Sequence, residues 1–282
     1  MWKKKLCLGL SQACGIPFEE QLELLKNTGF DGFFVVWGPN VDMESLTKRA
    51  KELDMVFQSV HAPWDMAAEL WHADDEKAQK GIKTLCGCVE HCVSCGAPIL
   101  VVHPFVGFDR HDVTEVGLKR YAQVVDYARQ RGIRIAFENV EGIEFLDALM
   151  AHFAGDITVG FCWDTGHEMC YNHSQDLLAR YGDRLLCTHL NDNLGIKDCN
   201  GKITWLDDLH LLPFDGVADW ENIADRLHRW GFKDALTFEL NLKSKPGRHE
   251  NDGYTQMPYE QYLAEAYKRA CRIATMLCKK EN

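Results

Sequence analysis

"ITVGFCWDTGHEMCYN", residues 157–172, is the stretch whose reading decides the fold. Up to Trp163 it is mostly β-branched, aromatic or small, the character of a strand buried on both faces. It then delivers a carboxylate, Asp164, and three positions later an imidazole, His167. A buried strand that ends on an acid needs a use for the charge, because an unpaired buried carboxylate is costly. One such ending means little; the same ending on several strands would mean a site.

Seven further apolar runs of strand length flank this one. They are "KLCLGLS" ending at Ser11, "GFFVVW" (32–37), "MVFQSVH" (55–61), "PILVVH" (98–103), "IRIAFEN" (133–139), "RLLCTHL" (184–190) and "ALTFEL" (235–240). Amphipathic segments separate them. "PFEEQLELLKNTGF" puts Phe18, Leu22 and Leu25 on one face behind Pro17, and "DVTEVGLKRYAQVVDYARQRG" closes on Gly132. A last helix over 258–279 stacks Tyr259, Leu263, Tyr267, Ala270 and Ile273. Strands without in/out alternation, each followed by a helix, predict a parallel sheet covered by helices. Eight such repeats in 282 residues predict an α/β fold, a closed (β/α)8 TIM barrel, as a single domain over 1–282. No Gly-rich phosphate fingerprint follows the first strand, against a dinucleotide-binding sheet. The long irregular segment 191–218 is expected to be a functional loop.

The strand ends repeat the pattern of Asp164. His61 closes the third run, His103 the fourth, Glu138 the fifth, His189 the seventh and Glu239 the eighth. In a barrel these ends converge on one face, where active sites lie. Carboxylates and imidazoles packed together there repel one another unless a cation neutralises them, so a divalent metal is expected.

These motifs, "SVHAPW", "VVHPF", "FENVEG", "CWDTGHE", "THLNDN", "DLHLLPFDG" and "TFELN", resemble in order and spacing the xylose-isomerase-like TIM-barrel superfamily over nearly the whole chain. The superfamily holds sugar isomerases and epimerases and the endonuclease IV type of abasic-site endonuclease. In the epimerase branch the resemblance implies one divalent ion on Glu138, Asp164, His189 and Glu239, with Glu138 and Glu239 also moving the proton through a metal-stabilised enediolate. His167 would then touch substrate. In the endonuclease branch three zinc ions would also use His61, His103, His167, Asp208 and His210. All nine positions carry suitable residues. The family's loop usually reads D-x-H then P-G-x-G; here "PFDG" places Phe214 at the first glycine and keeps Gly216.

The net charge of −11 counts against the nuclease reading, since a phosphate-backbone partner wants clustered Lys and Arg. The expectation is therefore a divalent-metal-dependent isomerase or epimerase of a sugar, sugar phosphate or polyol, with the endonuclease as alternative. Mn2+ is the expected ion, with Zn2+, Co2+ and Mg2+ as alternatives, and the resemblance allows a homo-oligomer. Trp37, Trp64 and Trp163 lie near strand ends and offer stacking surfaces; Lys243, Lys245 and Arg248 offer charge to a substrate anion. Of the 12 cysteines, Cys88, Cys92 and Cys95 fall on one helical stripe and are expected to pack as small hydrophobes rather than bind metal. No apolar run approaches the ~18 residues of a membrane span or a secretory core, so a cytoplasmic protein is expected.

Overall fold

Strand β1 (Leu6–Gly9) pairs with β2 (Gly32–Val36), and β3 (Val56–His61), β4 (Ile99–Val102), β5 (Arg134–Glu138), β6 (Val159–Asp164) and β7 (Leu185–His189) follow in sequence order, all parallel. Strand β8 (Leu236–Phe238) lies on the free side of β1, with Cys7 opposite Thr237. The Leu190 N–H donates to the Thr237 carbonyl at 2.8 Å, and a parallel bridge joins Leu190 to Phe238. That contact brings β7 round to β8, so the eight strands and their helices form one (β/α)8 barrel. This computed structural model describes residues 4–196 and 202–280. Part of the 191–218 loop, residues 197–201, therefore lies outside the described residues.

The sequence explains where the helices start and stop. Asp42, Asp74, Thr114 and Asp219 each accept a backbone N–H three residues on, satisfying donors a helix leaves open at its first turn. Helix Phe18–Thr28 starts behind Pro17 and ends at Gly29, whose φ of 117° only glycine adopts freely. Cys88, Cys92 and Cys95 are buried along helix Asp75–Cys95, and the described cysteines are free thiols. The last helix, Tyr259–Lys280, buries Tyr259, Leu263, Ala270 and Ile273. No helix among the described residues is long and apolar enough to cross a membrane.

Two apolar layers result. A large outer one lies between strands and helices and includes Phe33, Phe137, Phe161 and Trp163. A narrow inner one fills the barrel with Ile99, Val101, Ala136, Cys162 and Cys187. Successive strand residues alternate between these layers, and that parity positions the site.

Candidate functional site

Two residues beyond the last inner-layer side chain of each of four strands comes a polar one. Val101 is followed by His103, Ala136 by Glu138, Cys162 by Asp164 and Cys187 by His189. Period-two geometry thus lifts the polar ends onto the mouth of the barrel. Glu138, Asp164 and His189 have no exposed side-chain surface, while Glu239 keeps 23% and is the member open to an incoming molecule. Ligand atoms of these four lie within 4.8 Å of one another.

Glu138 is the hub. Its Oε1 lies 3.0 Å from His189 Nδ1 and 3.5 Å from His167 Nδ1; its Oε2 lies 3.1 Å from His61 Nε2 and 3.4 Å from His103 Nε2. His189 Nδ1 also stands 2.8 Å from Glu239 Oε2, and its ring stacks on Phe34 at 4.6 Å. Burial by itself pulls the His189 imidazolium pKa down, but Glu138 and Glu239 outweigh it and hold it well above the ordinary value. Burial pushes the Asp164 carboxyl up to about 6, against the pull of His167 and His210. Beside the quartet, His167 Nε2 and His210 Nε2 stand 3.4 and 2.8 Å from Asp208 Oδ1. Asp164, His167 and His210 form a second close group, and His61, His103 and Glu138 a third.

Three imidazoles share one arrangement. His61 Nδ1 lies 2.6 Å from the Ala62 carbonyl, His167 Nδ1 2.9 Å from the Asn139 carbonyl, and His210 Nδ1 3.2 Å from the Glu239 carbonyl. A carbonyl only accepts, so each Nδ1 carries the hydrogen, and each Nε2 is aimed at a carboxylate oxygen. A neutral imidazole would there set a lone pair against an anion. Either a second proton or a cation must lie between them, and an N–H given away to a carbonyl is how metal-ligating histidines are held. His189 Nε2 and His103 Nδ1 are buried with no hydrogen-bond partner among the described residues. The donor set, carboxylate oxygen and imidazole nitrogen, suits Mn2+, Zn2+, Co2+ or Mg2+. The residues fit a divalent ion.

The candidate ligands are held by residues the motifs did not single out. Asn139 takes the Asp164 N–H on Oδ1 and donates to the Asp164 carbonyl, both at 2.8 Å, tying β5 to β6. Asn191 donates to Asp164 Oδ2 at 2.7 Å, and Thr165 exchanges hydrogen bonds with the Asn191 backbone. Gly166 makes that approach possible, since a Cβ there would sit 1.9 Å from Asn191 Oδ1. Further out, Glu168 forms a buried bidentate pair with Arg226 at 2.6 and 2.8 Å and accepts the Trp163 Nε1–H at 2.9 Å. The position of Asn139 next to Glu138 in "FENVEG" and of Asn191 two residues after His189 in "THLNDN" was the available signal.

A cavity of about 510 Å3 opens beside Glu239 over the ends of β1, β2 and β3, and Trp37 and Trp64 line it. Trp64 is 42% exposed and stacks on His103. Trp163 is not in the mouth: it is fully buried in the outer layer, with the Arg226 guanidinium over its ring. Its parity, one residue from Asp164, turns it away from the site. Arg248 is held by Glu250 and Asp207 at 2.7 and 3.6 Å, and Lys245 lies 3.4 Å from Asp208.

Residues 22–258 match the family model described as the xylose isomerase-like TIM barrel. The uncharacterised protein y4fM of Sinorhizobium fredii is 26% identical, over 88% of this chain and 90% of its own length. Among solved structures, an IolI protein with a bound zinc atom superposes with a TM-score of 0.76 at 18% identity, covering 96% of this chain and 98% of its own. L-Ribulose 3-epimerase superposes with a TM-score of 0.73 at 16% identity, covering 99% and 96%. D-Psicose 3-epimerase from Clostridium cellulolyticum H10, solved with D-tagatose, gives 0.68 at 13%, covering 98% and 99%. At these identities the superpositions establish the common barrel.

Proposed function

The chain belongs to the xylose isomerase-like TIM barrel family, and on that premise we propose that it is a divalent-metal-dependent isomerase or epimerase of a sugar, sugar phosphate or polyol. The observation that carries the reading is the quartet Glu138, Asp164, His189 and Glu239, brought from four consecutive or nearly consecutive strands to one point beside an open cavity. These four residues hold the ion. When bound, it supplies electrophilic stabilisation of the negative charge that develops on the substrate oxygens.

The remaining work falls to the side chains. A proton on carbon beside a carbonyl needs a carboxylate within reach to take it. Glu239, exposed to the cavity, is that base, and its link to His189 keeps it ionised. Glu138, three strands away and enclosed by imidazoles, is the second carboxylate and returns or exchanges the proton of a molecule drawn in against the quartet. Two carboxylates on different sides suit epimerisation, and one acting alone suits isomerisation. His167, held by Asn139, orients a substrate hydroxyl through Nε2.

Transfer of deuterium from solvent into a ketose panel, followed by NMR with Mn2+ present, tests the reading. Uptake by wild type and its loss in Glu239→Gln, with the fold retained, is the expected result. Uptake that persists in Glu239→Gln removes that residue from the proton transfer. The second and third histidine groups favour one other reading, a zinc phosphodiesterase with up to three ions. Three tightly held zinc ions per chain together with cleavage of an abasic duplex would establish it instead.

A further inference from the structure

Resting on the proton-transfer reading, the chemistry of the cavity says more about what enters it. The walls beside Glu239 are aromatic, with Phe18, Phe34, Trp37 and Trp64, and polar but uncharged at Ser11 and Asn241. The charged lining residues among those described are Asp65 and Glu239, both negative. A phosphate ester carries about −1.5 to −2 charges at neutral pH. Placed here it would meet Asp65 with no Lys or Arg among the described lining residues to offset it, and the two charges of the proposed ion are already matched by the carboxylates of Glu138, Asp164 and Glu239.

Barrels that hold phosphate frequently do so in the loops after the last two strands, and among the described residues the donors of those loops nearest the barrel mouth are engaged from within. Asp192, fully buried after β7, accepts the backbone N–H groups of Asn193, Phe214 and Ala218 and the Trp220 Nε1–H, all at 2.8–3.0 Å. These three amide donors are spent on the chain's own carboxylate. After β8, Lys245 is taken by Asp208 and lies over the Trp205 ring, Arg248 is taken by Glu250 and Asp207, and Lys243 is exposed but does not line the cavity. An incoming anion would have to displace these partners.

We infer that the site takes an uncharged polyhydroxy carbonyl compound, laying its apolar C–H face on the Trp37 and Trp64 wall, and discriminates against the phosphate ester of the same compound. The indoles supply apolar area with a fixed orientation, and Ser11 and Asn241 supply hydrogen bonds that do not require charge.

The full-length protein with Mn2+ is titrated with D-fructose, D-tagatose and L-ribulose, and with D-fructose 6-phosphate and L-ribulose 5-phosphate, reading tryptophan fluorescence for binding and solvent deuterium uptake for reaction. At least one free sugar is expected to bind about tenfold or more tighter than its ester. Trp64→Ala, at an exposed position, should raise KM for that sugar about three- to tenfold while kcat stays within about twofold. An ester that binds or reacts as well as its free sugar overturns the inference and leaves the proton-transfer reading standing. Free sugars that bind without exchanging hydrogen support the inference and remove the proton-transfer reading. Binding of none of the panel, or a KM indifferent to Trp64→Ala, also overturns the inference.

Discussion

Asn191 donates its side-chain amide to Asp164 Oδ2 at 2.7 Å, across the gap between β6 and β7, and it can do so only because residue 166 has no Cβ. Asp164 has no other freedom: its Oδ1 accepts the His167 N–H and its backbone is clamped by Asn139. Gly166→Ala would push a methyl into Asn191 and turn Asp164 out of line. Outer groups that orient metal ligands typically carry about 10- to 100-fold in affinity. Calorimetric titration of Gly166→Ala with Mn2+ should therefore show a loss of that order, with unchanged circular dichroism. Wild-type affinity in this variant would mean that Asn191 does not position Asp164.

Metal should also stabilise the fold. The Glu138 hub brings three carboxylates and several imidazoles together out of water, an arrangement whose internal repulsion a cation relieves. An ion that binds the native state and not the unfolded chain adds about 2.7 kcal/mol at a hundredfold excess over Kd. For a chain of this size that corresponds to a rise in Tm of about 5 °C or more. Melting in EDTA against melting in millimolar Mn2+ or Zn2+ measures it. Equal Tm values in both would argue against a built metal centre.

Much of this architecture can be read in the sequence, and what escapes it has a physical reason. The eight apolar runs coincide with the eight strands, because residues buried on two faces must be apolar along their length. Boundaries are softer: Ile157 opens an apolar run, yet it precedes β6 and is 91% exposed. Strand-end residues such as Glu138 and His189 are legible because parity and fold together fix where they point. Trp163 obeys the same parity and for that reason belongs to the outer layer. Asn139, Asn191 and Gly166 act through approaches between segments distant in sequence, which spacing within one motif does not encode. Phe214 is intermediate. It occupies the glycine position of the family's loop and keeps the left-handed backbone, φ 74°, held by its N–H to Asp192 and by its ring against Trp220 and Arg272.

The Arg226–Glu168 pair should be a stability determinant separate from the candidate metal ligands. Both side chains are about 7% exposed, and Glu168 also accepts from Trp163 and from the Leu177 N–H. Removing one partner strands a buried charge, which typically costs about 3–5 kcal/mol, whereas removing both costs less. Urea unfolding should show Arg226→Met destabilised within that range, and Glu168→Gln/Arg226→Met closer to wild type. A double variant as unstable as the sum of the two single ones would show that the pair is not coupled.

The cysteines offer a test of the layered packing itself. Burial pushes the Cys7 and Cys88 thiols up to about 12, and it raises Cys92, Cys162 and Cys170 as well. A thiol is attacked through its thiolate and only where a reagent can reach it, so these residues should be inert in the folded protein at neutral pH. Cys14, Cys86 and Cys271 are the partly exposed thiols among the described residues. Brief treatment of native protein with iodoacetamide, followed by peptide mass spectrometry, should mark only sites among those three within the described residues, and denaturant should release the others. Rapid native labelling of Cys88, Cys92 or Cys95 would mean that helix Asp75–Cys95 does not lay its cysteine stripe against the barrel, and the same labelling at Cys162 or Cys187 would mean that the inner layer beneath the site is open to solvent.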